Sequence, residues 1–365
     1  MGKTHYIIPV FVPDLGCPHQ CVFCNQKRIT GSAKVPTDAE VATKIADYLE
    51  TIPQQPGLVR EVAFYGGSFT AVASDLQAQL LKPAYLSKCR GEIDKIRIST
   101  RPDAVSEDIM ALLSAYGVDI VELGVQSMDD QVLLSAGRGH TSRDVLRASA
   151  LVKNWGMALG HQLMVGLPGS TGDREINTAA EVIVLKPDFV RIYPCLVLKD
   201  TPLAELYRRG EYKPLSVEEA GERSKQLLLM FEKAGIPVIR IGLQPSEQIN
   251  LSGDVIAGPY HPAFRELVEA AVARDQLEYL LQQLSIVKAS RVEVEVPSTE
   301  VSKVRGHKGA NVKHFKEKYG IAEFITTLDP GLKSGSLRLS SVDGISHNSV
   351  VTRKDLPNPT ETVIK

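Results

Sequence analysis

Short β-rich segments alternate with longer amphipathic segments along the first two thirds of the chain. Six segments have the composition of strands and Val238–Ile241 is a possible seventh; the six are residues 6–12, 62–65, 96–99, 121–125, 159–165 and 190–194. Repeated strand–helix units predict an α/β fold with a parallel sheet. We therefore expect a barrel of βα units, in which the loops after the strands hold the functional residues.

Two of the intervening segments carry signals of a helix N-terminus. Thr37 precedes a predicted helix at 38–50 with Glu40 three residues later, and Ser216 precedes one at 217–233 with Glu219 in the matching position. A Ser or Thr followed three residues later by Glu can form a capping box, in which both side chains bond to backbone N–H groups. These segments are therefore predicted to be helices.

The length and charge of the chain limit its class. Its 365 residues exceed a usual single core, which holds up to about 250 to 300 residues, so we expect one large domain and one small domain. With a net charge of −1, the chain has no overall excess of positive charge for binding polyanions. Any nucleic-acid site must therefore be local. No segment approaches the roughly 20 apolar residues of a membrane span, so we expect a cytoplasmic enzyme without a membrane partner.

Three of the five cysteines lie close together in the segment CPHQCVFCN at residues 17–25. An odd cysteine count with such crowding suits a metal or catalytic role in a reducing compartment better than a disulfide framework. A zinc site would need a fourth ligand, for which His19 is the nearest candidate. Cys21 and Cys24 alone have the spacing of a redox pair, which leaves Cys17 unexplained. An iron–sulfur cube with three cysteine ligands would keep one iron open to bind another molecule.

The spacing Cys17-x3-Cys21-x2-Cys24, with Phe23 before the last cysteine, resembles the signature of the radical S-adenosylmethionine (SAM) superfamily. This resemblance implies that the three thiolates hold a [4Fe-4S] cluster whose free iron binds the amino and carboxylate groups of SAM. One electron from the cluster would cleave the sulfonium to a 5′-deoxyadenosyl radical. The resemblance also implies a partial (β/α)6 barrel of the TIM type, in agreement with the six units above.

Gly66, Gly67 and Ser68 follow the second predicted strand and resemble a superfamily segment in which glycines let the backbone approach the amino group of SAM. The alternative is an ordinary strand-to-helix turn, because glycine pairs are common in turns. The position directly after a strand favours the SAM interpretation.

Three polar side chains are further candidates for SAM contact. Gln126 ends the fourth strand, and an amide that donates and accepts suits a ribose or a carboxylate. Arg138 is either a partner of the SAM carboxylate or a solvated loop residue. Gln162 lies on the fifth strand near a position where oxygen-independent coproporphyrinogen oxidases carry an aspartate. That departure argues against a tetrapyrrole decarboxylase.

Residues 124–141 and 186–216 resemble the catalytic subunit of Elongator, within a match that covers residues 95–245. That family combines a radical SAM domain with an acetyltransferase domain and modifies wobble uridines in tRNA. The residues that follow the match here are too few for the acetyltransferase fold, and the cysteine spacing is shorter than the family often has. We therefore expect an Elongator-like radical SAM enzyme without acetyltransferase chemistry.

A second module is predicted near the C-terminal end. A strand at 291–297, a short helix, the segment Gly306-His307-Lys308-Gly309, a helix at 310–319 and a strand near 323–327 resemble a KH domain. In KH domains a GxxG loop clamps about four nucleotides of single-stranded nucleic acid. Residues 303–318 hold six Lys or Arg against one Glu, which favours phosphate contact. The candidate RNA-binding residues are Gly306, His307, Lys308, Gly309 and Lys313; the alternative is a solvated basic helix.

The predicted domains are a radical SAM barrel at residues 1–245, a linker and docking helix at 246–286, a KH-like module at 287–345 and a tail at 346–365. In the linker, Tyr260 and His261 either line a substrate cavity or form a Gly-Pro-rich turn. Cys195 follows the sixth strand and is a candidate catalytic thiol. Cys89 lies in a helix end and is expected to be a buried or indifferent thiol.

These features together predict a radical SAM enzyme that acts on RNA, either tRNA or rRNA, and takes electrons from a donor such as flavodoxin or ferredoxin. Two alternatives stay open. One is a radical SAM enzyme that acts on a small metabolite such as a tetrapyrrole. The other is an RNA-binding protein whose cluster is a structural or redox-sensing element.

Overall fold

The computed structural model describes residues 4–12, 17, 19–25, 34–53, 55–243, 250 and 253–357. Contacts divide the chain into two compact units: Met1–Leu215 with Leu243–Tyr260, and Ser216–Gly242 with His261–Lys365. Within the described ranges, no helix is both long enough and apolar enough to cross a bilayer.

Six parallel strands form the sheet of the first unit. The strands of the described chain are β1 (His5–Val12), β2 (Val59–Gly66), β3 (Lys95–Thr100), β4 (Ile120–Gln126), β5 (Ala158–Val165), β6 (Phe189–Pro194), β7 (Val197–Leu198), β8 (Val238–Ile241), β9 (Val255–Ala257), β10 (Arg291–Val296), β11 (Glu323–Leu328), β12 (Ser336–Val342) and β13 (Ile345–Thr352). β1 to β6 lie side by side in chain order, and each neighbouring pair is parallel. The predicted parallel sheet is confirmed, and all six predicted segments lie on these strands.

Helices connect the strands of the first unit. The helices of the described chain are α1 (Asp38–Thr51), α2 (Ser74–Cys89), α3 (Glu107–Ala115), α4 (Asp130–Ser135), α5 (Ser142–Asn154), α6 (Gly172–Leu185), α7 (Pro202–Arg208), α8 (Val217–Lys233), α9 (Phe264–Gln283), α10 (Val301–Arg305) and α11 (Ala310–Tyr319). Both predicted capping boxes form: Thr37 Oγ1 accepts from the N–H of Glu40 at 3.2 Å, and Ser216 Oγ from that of Glu219 at 3.1 Å. Such caps contribute about 1 kcal/mol each to helix stability.

The interior of the parallel sheet holds four buried charged residues, which we call the charge ladder: Glu61 (β2), Arg97 (β3), Glu122 (β4) and Arg191 (β6). Arg97 Nε lies 2.7 Å from Glu61 Oε1, and Glu122 Oε2 lies 3.2 Å from both Arg97 Nη1 and Arg191 Nε. Removing one member would leave the buried charges unbalanced, at a cost of about 3–5 kcal/mol. The ladder therefore needs all four residues.

The second unit has a mixed sheet with helices packed against it. Its strand order is β11-β10-β12-β13; β10 is parallel to β11 and antiparallel to β12. Leu277 and Leu281 of α9 share a core with Val292 of β10 and Phe315 of α11. The predicted order of strand, helix, GxxG, helix and strand is present between β10 and β11.

Two segments differ from the sequence-based expectation. Residues 346–352 are assigned to a tail by the sequence but belong to β13. Only Val351 of this strand is fully buried, so its polar composition gave no strand signal. α8, assigned to the barrel range, groups with the second unit. Glu232 of α8 pairs with Arg353 at 2.9 Å, a contact between residues distant in sequence. The contact-based units therefore differ from the predicted domain ranges.

Candidate functional site

The three clustered cysteines lie in the loop after β1, at the carboxyl end of the parallel sheet. Cys17, Cys21 and Cys24 line a cavity of about 130 Å³, which we call the cysteine cavity. Its other walls come mostly from the ends of β2 to β5, and include Gly66, Gly67, Ser68, Ser99, Thr100, Arg101, Glu122, Gly124, Gln126 and Gln162. The strand ends thus bring residues distant in sequence together around the thiols.

The cysteine loop is seated on the turn that follows α4. The backbone N–H of Val22 donates to the carbonyl of Ala136 at 3.0 Å. Gly139 has a φ of +73°, and a Cβ atom there would lie 2.1 Å from the ring of His19. A side chain at position 139 would therefore displace the loop that carries the thiols.

Two buried arginines face the thiols. Arg138 donates from Nη1 to Cys21 Sγ at 3.1 Å and from Nη2 to the carbonyl of Gly124 at 2.6 Å. Arg101 donates to the backbone carbonyl of Arg138 and forms a bidentate pair with Asp103 at 2.9 and 3.0 Å. Burial opposes the charge on Arg101, but Asp103 and the nearby thiols raise its pKa overall. Arg138 is therefore no solvated loop residue, and the cavity wall beside the cysteines is cationic.

The donor set fits an iron–sulfur cluster better than a single metal ion. Among the described residues, no three His, Cys, Asp or Glu side chains are grouped closely enough to hold one ion. In a cube the thiolates bind separate irons, so they need not converge on one point. Arg101 Nη1 and Arg138 Nε are buried without a hydrogen-bond partner in the described chain. Two such cationic donors suit an anionic cluster and a carboxylate.

All the residues predicted to contact SAM line the cysteine cavity: Phe23, Gly66, Gly67, Ser68, Gln126, Arg138 and Gln162. The N–H of Gly67 donates to the carbonyl of Val12 at 2.9 Å, which ties the glycine pair to the end of β1. Gln126 has a φ of +66°, uncommon for a residue with a side chain, and its Oε1 accepts from Gln162 Nε2 at 3.4 Å. Backbone outliers of this kind cluster at functional sites.

The sequence did not single out Arg101, which lines the cysteine cavity, or His140, which lies near Arg138 and Arg101. Arg101 directly follows β3, so its position after a strand was the available signal. His140 is buried with Nε2 3.2 Å from the carbonyl of Val125. Burial, with Arg138 and Arg101 nearby, lowers the pKa of His140 to about 4. The ring is therefore neutral at physiological pH, and its Nε2–H can donate to the carbonyl of Val125.

Cys195 does not line the cysteine cavity, although Phe23 of that cavity packs against the same cluster. The thiol is 1% exposed and packs among apolar side chains that include Val132, Leu167 and Leu203. Burial raises its pKa to about 12, so the thiol is protonated at neutral pH, whereas a nucleophile needs the thiolate. This placement is that of a packing residue.

A second cavity of about 250 Å³ adjoins the cysteine cavity. Both are lined by Phe23, Cys24, Gly66, Ser99, Glu122 and Gln162. Tyr65, Arg191 and Tyr193 line the second cavity alone. Two members of the charge ladder, Glu122 and Arg191, therefore face this space.

In the second unit, the GxxG segment lines a groove of about 830 Å³, the GxxG groove. Gly306 and Gly309 both have a φ of +76°. A Cβ atom on Gly306 would lie 2.7 Å from the backbone nitrogen of Asn311, whereas at Gly309 no described atom lies within 4 Å. The backbone at Gly309 is thus open to the close approach of a ligand.

Half of the cations in residues 303–318 are paired within the second unit. The pairs are Lys303 with Glu300 at 2.9 Å, Lys318 with Glu278 at 2.9 Å and Lys313 with Glu317 at 3.7 Å. Arg305, Lys308 and Lys316 have no carboxylate partner in the part of the chain that the structure describes. The charge available to a ligand is therefore smaller than the composition predicts.

Comparison with known proteins places this site in a family. The Radical SAM superfamily profile matches residues 12–182, and the Radical_SAM C-terminal domain profile matches residues 187–274. The tRNA uridine(34) acetyltransferase of Methanocaldococcus infernus is 32% identical over 59% of this chain and 48% of its own length. Elongator complex protein 3 of Homo sapiens is 32% identical over 40% of this chain and 26% of its own length.

A solved structure shares the fold. The archaeal Methanocaldococcus infernus Elp3 with an N-terminal deletion matches with a TM-score of 0.58 and 23% identity, over 78% of this chain and 64% of that chain. The chain spans about half the length of the curated acetyltransferase that it matches. The two profiles together cover well over half of the chain. It therefore belongs to the radical SAM superfamily, whose enzymes use a [4Fe-4S] cluster and SAM, and its relatives include the Elongator proteins.

Proposed function

We propose that this radical SAM enzyme modifies RNA, either tRNA or rRNA, in the cytoplasm. The observation that carries the proposal is the cysteine cavity, in which three thiols meet two buried arginines. The names of its relatives, which refer to tRNA uridine modification, support an RNA substrate. The GxxG groove of the second unit supports it independently.

The cysteines and the predicted SAM contacts of the cysteine cavity each have a proposed role. Cys17, Cys21 and Cys24 hold the cluster, and the backbone of Gly66 and Gly67 with Ser68, Phe23, Gln126 and Gln162 holds SAM. When bound, the cluster and SAM supply reductive cleavage to a 5′-deoxyadenosyl radical. Arg138 anchors Cys21 and offers its unpartnered Nε to a carboxylate. A reducing protein such as flavodoxin or ferredoxin delivers the electron.

The GxxG groove is proposed to hold the RNA backbone. The open backbone at Gly309 and the exposed Lys308 suit phosphate, and Gly306 fixes the turn against Asn311. The rings of His307 and His261 pack edge to face, with centroids 5.1 Å apart and planes at 86°, which fixes the position of His307 beside the groove. Lys313, engaged with Glu317, contributes less.

Two measurements test the two parts separately. Anaerobic reconstitution should give about four irons per chain and 5′-deoxyadenosine on addition of SAM and dithionite; far fewer irons would contradict the radical SAM part. The His307→Asp, Lys308→Asp double variant should bind bulk cellular RNA at least about tenfold more weakly. Lys354→Asp, on an exposed cation outside the groove lining, is the control. Unchanged RNA affinity in the double variant would contradict the RNA part.

A further inference from the structure

The second cavity lies beside the position where the cysteines would hold the cofactor. It shares Cys24, Gly66 and Gln162 with the cysteine cavity. A group bound there would be next to the cofactor. Hydrogen abstraction needs that proximity, because the reacting atoms must be held about 3–3.5 Å apart.

The charges that face the second cavity cancel one another. Glu122 and Arg191 line it and lie 3.2 Å apart. Behind them, Arg97 pairs with Glu122 and Glu61. Two buried carboxylates thus balance two guanidinium groups. The charge ladder leaves no net charge for a phosphate or a carboxylate of a ligand, whose burial without a counter-charge is costly.

Besides the Glu122 carboxylate and the Gln162 amide, the polar side chains that line the second cavity can donate hydrogen bonds. Arg191 donates to the hydroxyl oxygens of Tyr65 at 3.2 Å and Tyr193 at 3.3 Å. Each phenol therefore keeps its own O–H hydrogen for a ligand. Burial raises the pKa of Tyr65, which keeps that hydroxyl protonated. Ser99 Oγ is buried with no hydrogen-bond partner in the described chain. Such donors match a ligand with acceptor oxygens.

The remaining walls of the second cavity are apolar and aromatic. The rings of Phe11 and Tyr65 lie 6.4 Å apart, and Phe23, Met164 and Leu196 complete the lining. Aromatic rings stack on flat ligands. At about 250 Å³ the cavity is smaller than the roughly 300–1,000 Å³ typical of drug-sized ligands. It therefore suits one ring system and not a macrocycle such as a tetrapyrrole.

We propose that the second cavity binds the reacting group of the substrate, a flat and uncharged ring with carbonyl oxygens, which is the chemistry of a nucleobase. Tyr65, Tyr193 and Ser99 donate to its carbonyl oxygens, while Phe11 and Phe23 cover its faces. This inference rests on the proposed RNA function and specifies it, because it assigns the base and the RNA backbone to different sites.

Photo-crosslinking distinguishes the two sites. Bulk cellular RNA labelled with 4-thiouridine is irradiated with the anaerobically reconstituted protein, and crosslinked tryptic peptides are mapped by mass spectrometry. We expect crosslinks in residues 192–199, which include four residues of the second-cavity lining, and in residues 306–313, which include the GxxG segment of the groove. The Tyr65→Phe, Tyr193→Phe double variant should reduce the first about tenfold, because two hydrogen bonds are lost. Tyr207→Phe, on an exposed tyrosine, is the control.

Each outcome decides between the proposals. Crosslinks at 306–313 without crosslinks at 192–199 would overturn the nucleobase site and keep the RNA function. An absence of crosslinks at both segments would overturn the RNA function, and the inference with it. Crosslinks at 192–199 that persist in the double variant would show that the phenols do not recognise the base. If the double variant loses the crosslinks at 192–199 and keeps those at 306–313, the proposal is supported. The retained crosslinks also show that the variant is folded.

Discussion

The cysteine cavity and the GxxG groove both rely on cations, but they hold them differently. Arg138 and Arg101 are buried and fixed by the carbonyl of Gly124 and by Asp103. Lys308, in contrast, is exposed. The buried cations have few positions available to them and therefore define a site by geometry. The exposed cation supplies charge that solvent and salt can screen.

This difference shows that composition predicts neither arrangement of cations. In the cavity, two arginines that are far apart in the sequence meet at the thiols. In the groove, a run of six cations loses half of its free charge to carboxylates of the same unit. A charge count along the chain cannot detect that pairing.

The largest expected effect is the loss of a cluster ligand. Cys21→Ala should lower the iron content of the reconstituted protein and reduce 5′-deoxyadenosine to background, because one thiolate of three is removed. Cys89→Ala, on an exposed thiol, should leave both unchanged. Iron analysis and chromatography of the product measure the two quantities. Equal iron content in the two variants would contradict the cluster assignment.

A smaller change to the same region tests its geometry. Gly139→Ala should sharply lower iron incorporation, since the added Cβ would lie 2.1 Å from the ring of His19. Gly156→Ala is a matched control: its φ is +71°, and no described atom lies within 4 Å of the new Cβ. Both variants carry the same backbone strain of about 1 kcal/mol. Only the first should lose iron, and similar iron loss in both would contradict the seating of the cysteine loop.

Substitutions in the GxxG groove should have a smaller effect, which is seen in the salt dependence of RNA binding. Lys308→Ala should flatten the plot of log K for RNA against log salt concentration by about 0.7, the release expected for one phosphate contact of a single strand. Lys313→Ala should change the slope less, because Lys313 lies 3.7 Å from Glu317. Equal slopes in the two variants would mean that the pairing of Lys313 with Glu317 does not reduce its contact with RNA.

Acid should weaken the first unit through a buried histidine. His161 is fully buried, contacts Ser149 Oγ at 2.9 Å and has a pKa lowered to about 3 by burial. The unfolded chain binds this proton below about pH 6.5, so the free energy of unfolding should fall by up to about 1.4 kcal/mol per pH unit between pH 6 and 4.

His161→Gln removes the titrating group and should flatten this dependence. Ser149→Ala removes the partner of the ring and should keep it, which makes it the matched control. Denaturant unfolding at several pH values measures both variants. A wild-type curve that stays level from pH 6 to 4 would contradict the account.

Much of the first unit could be predicted because its signals are local. The Thr37 capping box located one of its helices, and parallel strands buried on both faces appear as apolar runs. The cysteine spacing predicted which thiols line the cavity. Arg101 and the seating of Gly139 on His19 are long-range contacts with no local signature. β13 escaped detection because nearly all of its side chains are at least partly exposed.

The central claim is that one chain joins a SAM-cleaving site to an RNA-binding groove. The most direct test measures 5′-deoxyadenosine from the anaerobically reconstituted protein with and without bulk cellular RNA, with Cys21→Ala as the blank. The account predicts that RNA stimulates product formation in the wild type and not in the His307→Asp, Lys308→Asp variant. Equal formation with and without RNA in both proteins would contradict it.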